Sequence, residues 1–177
     1  MKKTSMLLIA VALSVAAASG ARVSGNALKA VEGSIDQRFK ALWEDNPFTL
    51  IRPTRGIYLE GYGAVFTVDV SPVLSSISLM HPVVSKEEVL KAHKARLERV
   101  PQVKQVIRLA MADAAASLDP LPADDLITFV VFLDAHQWED VSGTPAQLTF
   151  RAKKNALLEA RRGGAAALTP VVQITEN

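Results

Sequence analysis

An α+β domain built on one mostly antiparallel sheet is the fold class this sequence predicts, and three patterns predict it. Residues 64–70 alternate, with Ala64, Phe66, Val68 and Val70 on one side and Val65, Thr67 and Asp69 on the other. A period of two marks a strand with one buried face. Residues 126–133, Leu-Ile-Thr-Phe-Val-Val-Phe-Leu, are nearly all apolar and rich in β-branched and aromatic types. Such a run predicts a central strand covered on both faces. Between these segments lies a long stretch with apolar side chains at helical spacing behind a helix-start signal. The order of elements predicts a two-layer domain: a four- or five-stranded, largely antiparallel sheet with helices packed on one face, compatible with two successive ββα units.

The N-terminus reads as a targeting segment. Lys2 and Lys3 precede an apolar run from Met6 to Ala18, and small residues follow as far as Ala21. A basic start, a short apolar run and small residues at a cleavage position predict a secretory signal peptide over residues 1–21, cut after Ala18 or Ala21. The run is too short for a membrane span, which needs about 20 residues. Export to a periplasm or beyond the cell is therefore expected, with residues 22–177 forming a single α+β domain and no transmembrane span left after signal removal. The chain has no cysteine, which excludes disulfides, thiol nucleophiles, thiolate metal sites and lipid anchoring through a cysteine. Its net charge of +2 comes from 20 basic and 18 acidic residues. Both excess charges sit in the signal, so the domain itself is neutral and makes no case for a nucleic-acid partner.

Each element follows from local chemistry. Leu28, Val31, Ile35, Phe39 and Leu42 share one helical face between Asn26 and Trp43, and Asn46-Pro47 ends that helix. Residues 48–53 form a short edge strand stopped by Pro53. The Tyr- and Gly-rich stretch after it bends at Gly61 and Gly63 before the alternating strand begins. Ser71-Pro72 breaks that strand, and an apolar, Ser-rich connection leads to His81-Pro82. Ser85 and Glu88 have the spacing of a capping box, with Val84 and Val89 placed as a hydrophobic staple. The helix they start runs to about Arg99, and Pro101 kinks or restarts it. Its Lys86, Lys91, Lys94, Arg96, Arg99, Lys104 and Arg108 read as a solvated face. Asp119-Pro120-Leu121-Pro122 ends the second half. After the apolar strand and a polar loop, Leu148, Phe150 and Ala152 mark the inward face of another strand. Asn155 is placed to cap a short helix from Ala156 to Arg162, which closes at Gly163-Gly164. Residues 171–174 add a last edge strand.

No sequence motif with a known mechanism is present: no nucleophile elbow, no His-Glu-x-x-His, no P-loop and no dinucleotide fingerprint. No cofactor and no metal site is expected. The densest polar cluster is residues 134–140, where Asp134 and His136 share a strand face if the extension continues. They are candidates for an acid/base pair, and a hydrolase or metal-dependent enzyme using this loop is the alternative reading. The other reading is a solvated loop with Trp138 folded onto the core edge. Nearer the start, Arg55, Tyr58, Glu60, Tyr62 and Asp69 are placed to line a groove, and tyrosines between glycines suit recognition. The candidate binding residues are thus Tyr58, Glu60, Tyr62, Asp134 and His136.

Through Tyr58, Leu59, Gly61, Tyr62, Gly63 and Phe66 the sequence resembles a set of uncharacterised exported bacterial proteins that share a Tyr-Leu-x-Gly-Tyr-Gly-x-x-Phe run. The resemblance implies export and carries no activity. Together these observations lead to the expectation of a non-enzymatic exported module that binds a protein or an envelope component.

Overall fold

The computed structural model describes residues 23–42, 49–73 and 84–177. The expected signal segment, Trp43 and His81 lie outside the described residues. Nine elements follow in order: α1 (Gly25–Ala41), β1 (Thr49–Leu59), β2 (Gly63–Ser71), α2 (Lys86–Ser117), β3 (Leu126–Leu133), β4 (Gln147–Lys153), α3 (Lys154–Arg161), α4 (Gly164–Leu168) and β5 (Gln173–Glu176). The strands make one five-stranded sheet in chain order, β1-β2-β3-β4-β5. Three pairings are antiparallel, and β2 with β3 is parallel. A parallel pair needs a long crossover, and α2 lies within it. The fold is thus the expected α+β class, with two hairpins side by side.

All the packing is on one face. β2 turns Ala64, Phe66, Val68 and Val70 inward, β3 turns Ile127, Phe129, Val131 and Leu133, and β4 turns Leu148, Phe150 and Ala152. Against them lie Leu28, Val31, Ile35 and Phe39 of α1, Val103, Ile107 and Met111 of α2, and Leu157 of α3. Phe66 and Phe129 stack at 4.9 Å in the middle. The apolar faces drawn from the sequence periodicity are the faces that meet.

β3 departs from its expectation. Its inner face is fully buried, but its outer face is not: Val130 is half-buried and Phe132 is 38% exposed. No described element covers that side of the sheet. An apolar run alone cannot distinguish a strand between two layers from one whose outer side is left open.

β1 also departs. It continues through Pro53 instead of stopping there, with register shifts between Leu50 and Arg52 and between Arg52 and Arg55. Pro53 falls inside the second shift and has no partner on β2, so its missing N–H removes no ladder bond. The outward N–H groups that follow are covered by α1: Thr54 N donates to Asp36 Oδ1 at 3.0 Å, and Gly56 N to Glu32 Oε1 at 2.7 Å. Asp36 and Glu32 are one helical turn apart, so a single face of α1 satisfies an edge that would otherwise template pairing with another chain.

α2 runs unbroken through Pro101, which sits on its exposed side. The capping box at its start is formed, with Glu88 N donating to Ser85 Oγ at 3.2 Å and Ser85 N to Glu88 Oε2 at 2.7 Å. Two of its basic residues are not on a solvated face. Arg96 is 1% and Arg99 8% exposed, and Arg99 Nη1 donates to Pro72 O at 2.6 Å. At the other end of the helix the carbonyls of Leu118, Asp119 and Leu121 accept from Lys154 Nζ at 2.8, 3.0 and 2.8 Å. A buried ammonium thus ties together the C-cap residue Leu118, whose own N–H donates to Ala114 O, and the turn that follows the helix. Lys154 is the first residue of α3, one position before Asn155. Asn155 is not the cap of that helix; its Oδ1 accepts from Ala156 N inside the first turn.

Candidate binding site

Residues paired across neighbouring strands share a face, so the register maps the open side of the sheet row by row. One row is Ile57, Val65, Thr128 and Arg151; the next is Arg55, Thr67, Val130, Thr149 and Thr175; a third is Arg52, Asp69, Phe132 and Gln147. The face changes character along the strands. It is apolar on β1 and β2 near their turn, rich in β-branched residues in the middle, and carries Arg52 and Asp69 at the far end.

At the turn end, Tyr62 folds back over the sheet. Its hydroxyl is 3.1 Å from Thr128 Oγ1, and Thr128 is 3% exposed although it belongs to the open side. Two glycines make this geometry possible. Gly61 has φ 75°, and Gly63 has φ 131° with its Cα pressed so close to β3 that a Cβ would lie 1.9 Å from Leu126 O. Only glycine tolerates both conditions at position 63.

At the opposite end lies a cleft of about 490 Å³, lined by Arg52, Pro53, Arg55, Thr67, Asp69, Phe132 and Asp134. It forms where the irregular first half of β1 meets the C-terminal ends of the parallel pair β2–β3. Asp134 extends the pairing by one residue, its N–H donating to Val70 O at 2.9 Å. Two residues beyond Phe132, its side chain falls on the same open face. Its carbonyl accepts from Arg96 Nη1 at 3.0 Å. The backbone of Asp134 is therefore held from both sides while the carboxylate is left to the cleft.

The charges in the cleft are unequally engaged. Arg52 Nε bonds Asp69 Oδ2 at 3.0 Å, with the Arg52 side chain 72% and the Asp69 side chain 15% exposed. Thr67 Oγ1 contacts Arg55 O at 3.5 Å, a weak bond at best. The Arg55 guanidinium and the Asp134 carboxylate have no hydrogen-bond or ion-pair partner among the described residues. One unpaired charge of each sign thus borders an exposed aromatic ring.

The residues singled out from sequence fall in separate places. Tyr58 and Glu60 border a different cleft, of about 570 Å³, between the edge of β1 and the start of α1, beside Val23, Gly25 and Leu28. Tyr58 packs against the core from the helix side. Tyr62 is over Thr128, and Asp134 is at the far end of the same strand, six residues or about 20 Å away at the usual strand rise. His136 is not among the cleft residues. It belongs to the following loop, where its N–H donates to Glu139 Oε1 at 2.9 Å and its ring stacks on Trp138 at 5.7 Å. Tyr62 precedes β2 at the turn end of the sheet and His136 follows β3 at the other end, and Glu60, in the same turn as Tyr62, is likewise remote from Asp134. Asp69, by contrast, does share the Asp134 cleft. Among the described residues no group of three or more His, Cys, Asp or Glu side chains could hold a metal ion. No described helix is long and apolar enough to cross a membrane.

Arg52, Pro53, Thr67 and Phe132 are the cleft residues that sequence reasoning did not name as site residues. For Phe132 the signal is incomplete: alternation puts it on the face opposite Phe129 and Val131, but an all-apolar strand does not say which of its two faces stays open. Arg52 carried no signal, because its position depends on the shifts in register of β1.

No family model, curated protein or solved structure matches this chain.

Proposed function

We propose that the protein is an exported, non-enzymatic binding module that takes a polypeptide partner on the open face of its sheet. The observation that carries this reading is Phe132. It is 38% exposed in the central strand of the sheet, in a cleft also lined by Arg55 and Asp134, whose charges have no partner among the described residues. Single exposed apolar side chains are ordinary. An aromatic side chain in a concave, mixed-charge setting is different: binding energy concentrates on such anchors, ringed by polar groups that set orientation. Ile57, 54% exposed on the same face, extends the apolar area toward the turn. Sequence adds the compartment: the segment over residues 1–21 directs the partner search to the periplasm or the cell exterior.

Catalysis receives less support. A hydrolytic or metal-dependent site needs several groups converging on one point, and Asp134 has neither His136 nor Glu60 beside it in the cleft.

A photo-reactive side chain placed at position 132, and separately at Leu158 on the helix layer, tests the reading in living cells. Position 132 should give a discrete adduct that excess wild-type protein competes away and Phe132→Asp protein does not. Equal adducts from both positions, or none from position 132, would reject the open face as the binding surface.

A further inference from the structure

We propose that the Arg55–Phe132–Asp134 cleft is a site for short zwitterionic peptides, held extended with the C-terminal carboxylate on Arg55 and the N-terminal ammonium on Asp134. The proposal rests on the reading of the open face as the binding surface and names the ligand class for it.

Charge comes first. Arg52 and Asp69 neutralise each other at 3.0 Å, which leaves Arg55 and Asp134 as the charges without partners among the described residues. A guanidinium matches a carboxylate through a planar fork of donors, and an isolated carboxylate suits an ammonium. A ligand with one charge only would leave the opposite protein charge facing it unmatched.

Spacing comes next. Arg55 lies opposite Thr67, which lies opposite Val130, and Asp134 is four residues further along β3. Two strand spacings across and four residues along separate the two Cα atoms by roughly 16 Å. The Arg55 side chain reaches several ångströms of that distance, so the charges to be bridged are about 10 Å apart, the length of an extended tripeptide. A free amino acid is too short to touch both. The cleft volume of about 490 Å³ is in the range of small-ligand sites. The register puts Asp69, already paired with Arg52, midway between the two charges and Phe132 beside it on β3, within reach of the middle side chain of a tripeptide.

The folding of the site suits it to this task. Asp134 is fixed through its backbone by Val70 and Arg96, so its carboxylate is presented without being spent on structure. Substituting it therefore probes binding and leaves the fold intact.

The tripeptide Ala-Phe-Ala with free termini, titrated into the purified protein, is the direct probe. Beside it go an N-acetylated form, a C-amidated form, and acetyl-Lys-Phe-Glu-amide, which carries both charges on side chains. The expected result is saturable binding at or below about 1 mM for the free tripeptide, at least about tenfold weaker when either terminus is blocked. Asp134→Asn should lose sensitivity to acetylation while keeping sensitivity to amidation, and Arg55→Met should show the reverse. No saturation by about 10 mM, or equal binding of free and blocked forms, overturns the proposal. Preference for acetyl-Lys-Phe-Glu-amide also overturns it, in favour of an internal protein segment as ligand. If the adduct from position 132 is obtained while the tripeptide fails, only the ligand class falls.

Discussion

Arg96 of α2 and Glu139 of the β3–β4 loop form a buried ion pair: Nη1 and Oε2 are 3.3 Å apart, and both side chains are 1% exposed. The pair has further bonds that make burial tolerable. Arg96 also donates to Leu133 O at 2.8 Å, Asp134 O at 3.0 Å and Thr144 Oγ1 at 3.0 Å. Glu139 accepts from the His136 amide through its second oxygen at 2.9 Å. One guanidinium thus ties the end of β3 to both sides of the loop that follows, and fixes the backbone from which Asp134 enters the cleft.

Removal of one partner should be costly. Arg96→Met leaves Glu139 as an uncompensated buried charge and strands two carbonyls, so a loss of about 3–5 kcal/mol is expected. Denaturant unfolding measures it. A loss below about 1 kcal/mol, in the range of an exposed pair, would mean that the loop opens to water without consequence.

Lys154 makes a second test of a buried cation. Lys154→Met removes three bonds to the end of α2, and charge-assisted bonds of this kind carry about 1.5–3 kcal/mol. Thermal unfolding should fall by several degrees, with amide exchange faster around residues 117–121. Unchanged exchange there would show that Lys154 does not tie down the end of α2.

The glycines of the β1–β2 turn should differ. Gly63→Ala meets Leu126 O and a positive φ together and should cost several kcal/mol. Gly61→Ala has open space around it and only the positive φ, so about 1 kcal/mol is expected. Circular dichroism melts of the two variants measure the difference, and equal effects would contradict the close approach of Gly63 to β3.

Acid should loosen the tip of the loop. The Asp140 carboxyl is held below its ordinary value, first by the Ser142 amide at 2.9 Å and then by the Ser142 hydroxyl. A depressed folded-state value means that the contribution is present above the unfolded carboxyl value, about 3.9, and is lost as pH falls through the folded one. In an NMR titration, Ser142→Ala should move Asp140 part of the way back toward that value. No movement would show that the hydroxyl contributes nothing, leaving the amide and the charge of His93 as the causes.

Much of this fold is legible in the sequence where local chemistry decides it. The alternation of Ala64 to Val70 and the Ser85–Glu88 cap describe interactions between near neighbours, and both appear as read. Where distant residues decide, the reading stops. Arg96 looks like any basic residue on a helix until Glu139 is brought to it across 43 positions. Lys154 looks like part of a solvated pair with Lys153 until the end of α2 arrives. The cleft has the same character: Asp134 and Asp69 were visible as polar residues, but their meeting depends on the parallel register of β2 and β3. The outward turn of Phe132 depends on which side of the sheet the helices choose, which alternation within one strand does not specify.

The most direct measurement of the central claim uses the absence of native cysteine. Single cysteines at Thr67, Phe132 and Thr149 on the open face, and at Leu97 and Leu158 on the helix layer, can be labelled with a thiol reagent without background. Labelling rates in intact cells, divided by rates for the purified protein, report what is covered in place. The expected result is protection at 67, 132 and 149 with none at 97 and 158. Equal ratios on both layers, or protection confined to the helices, would contradict the assignment of the open sheet face as the binding surface.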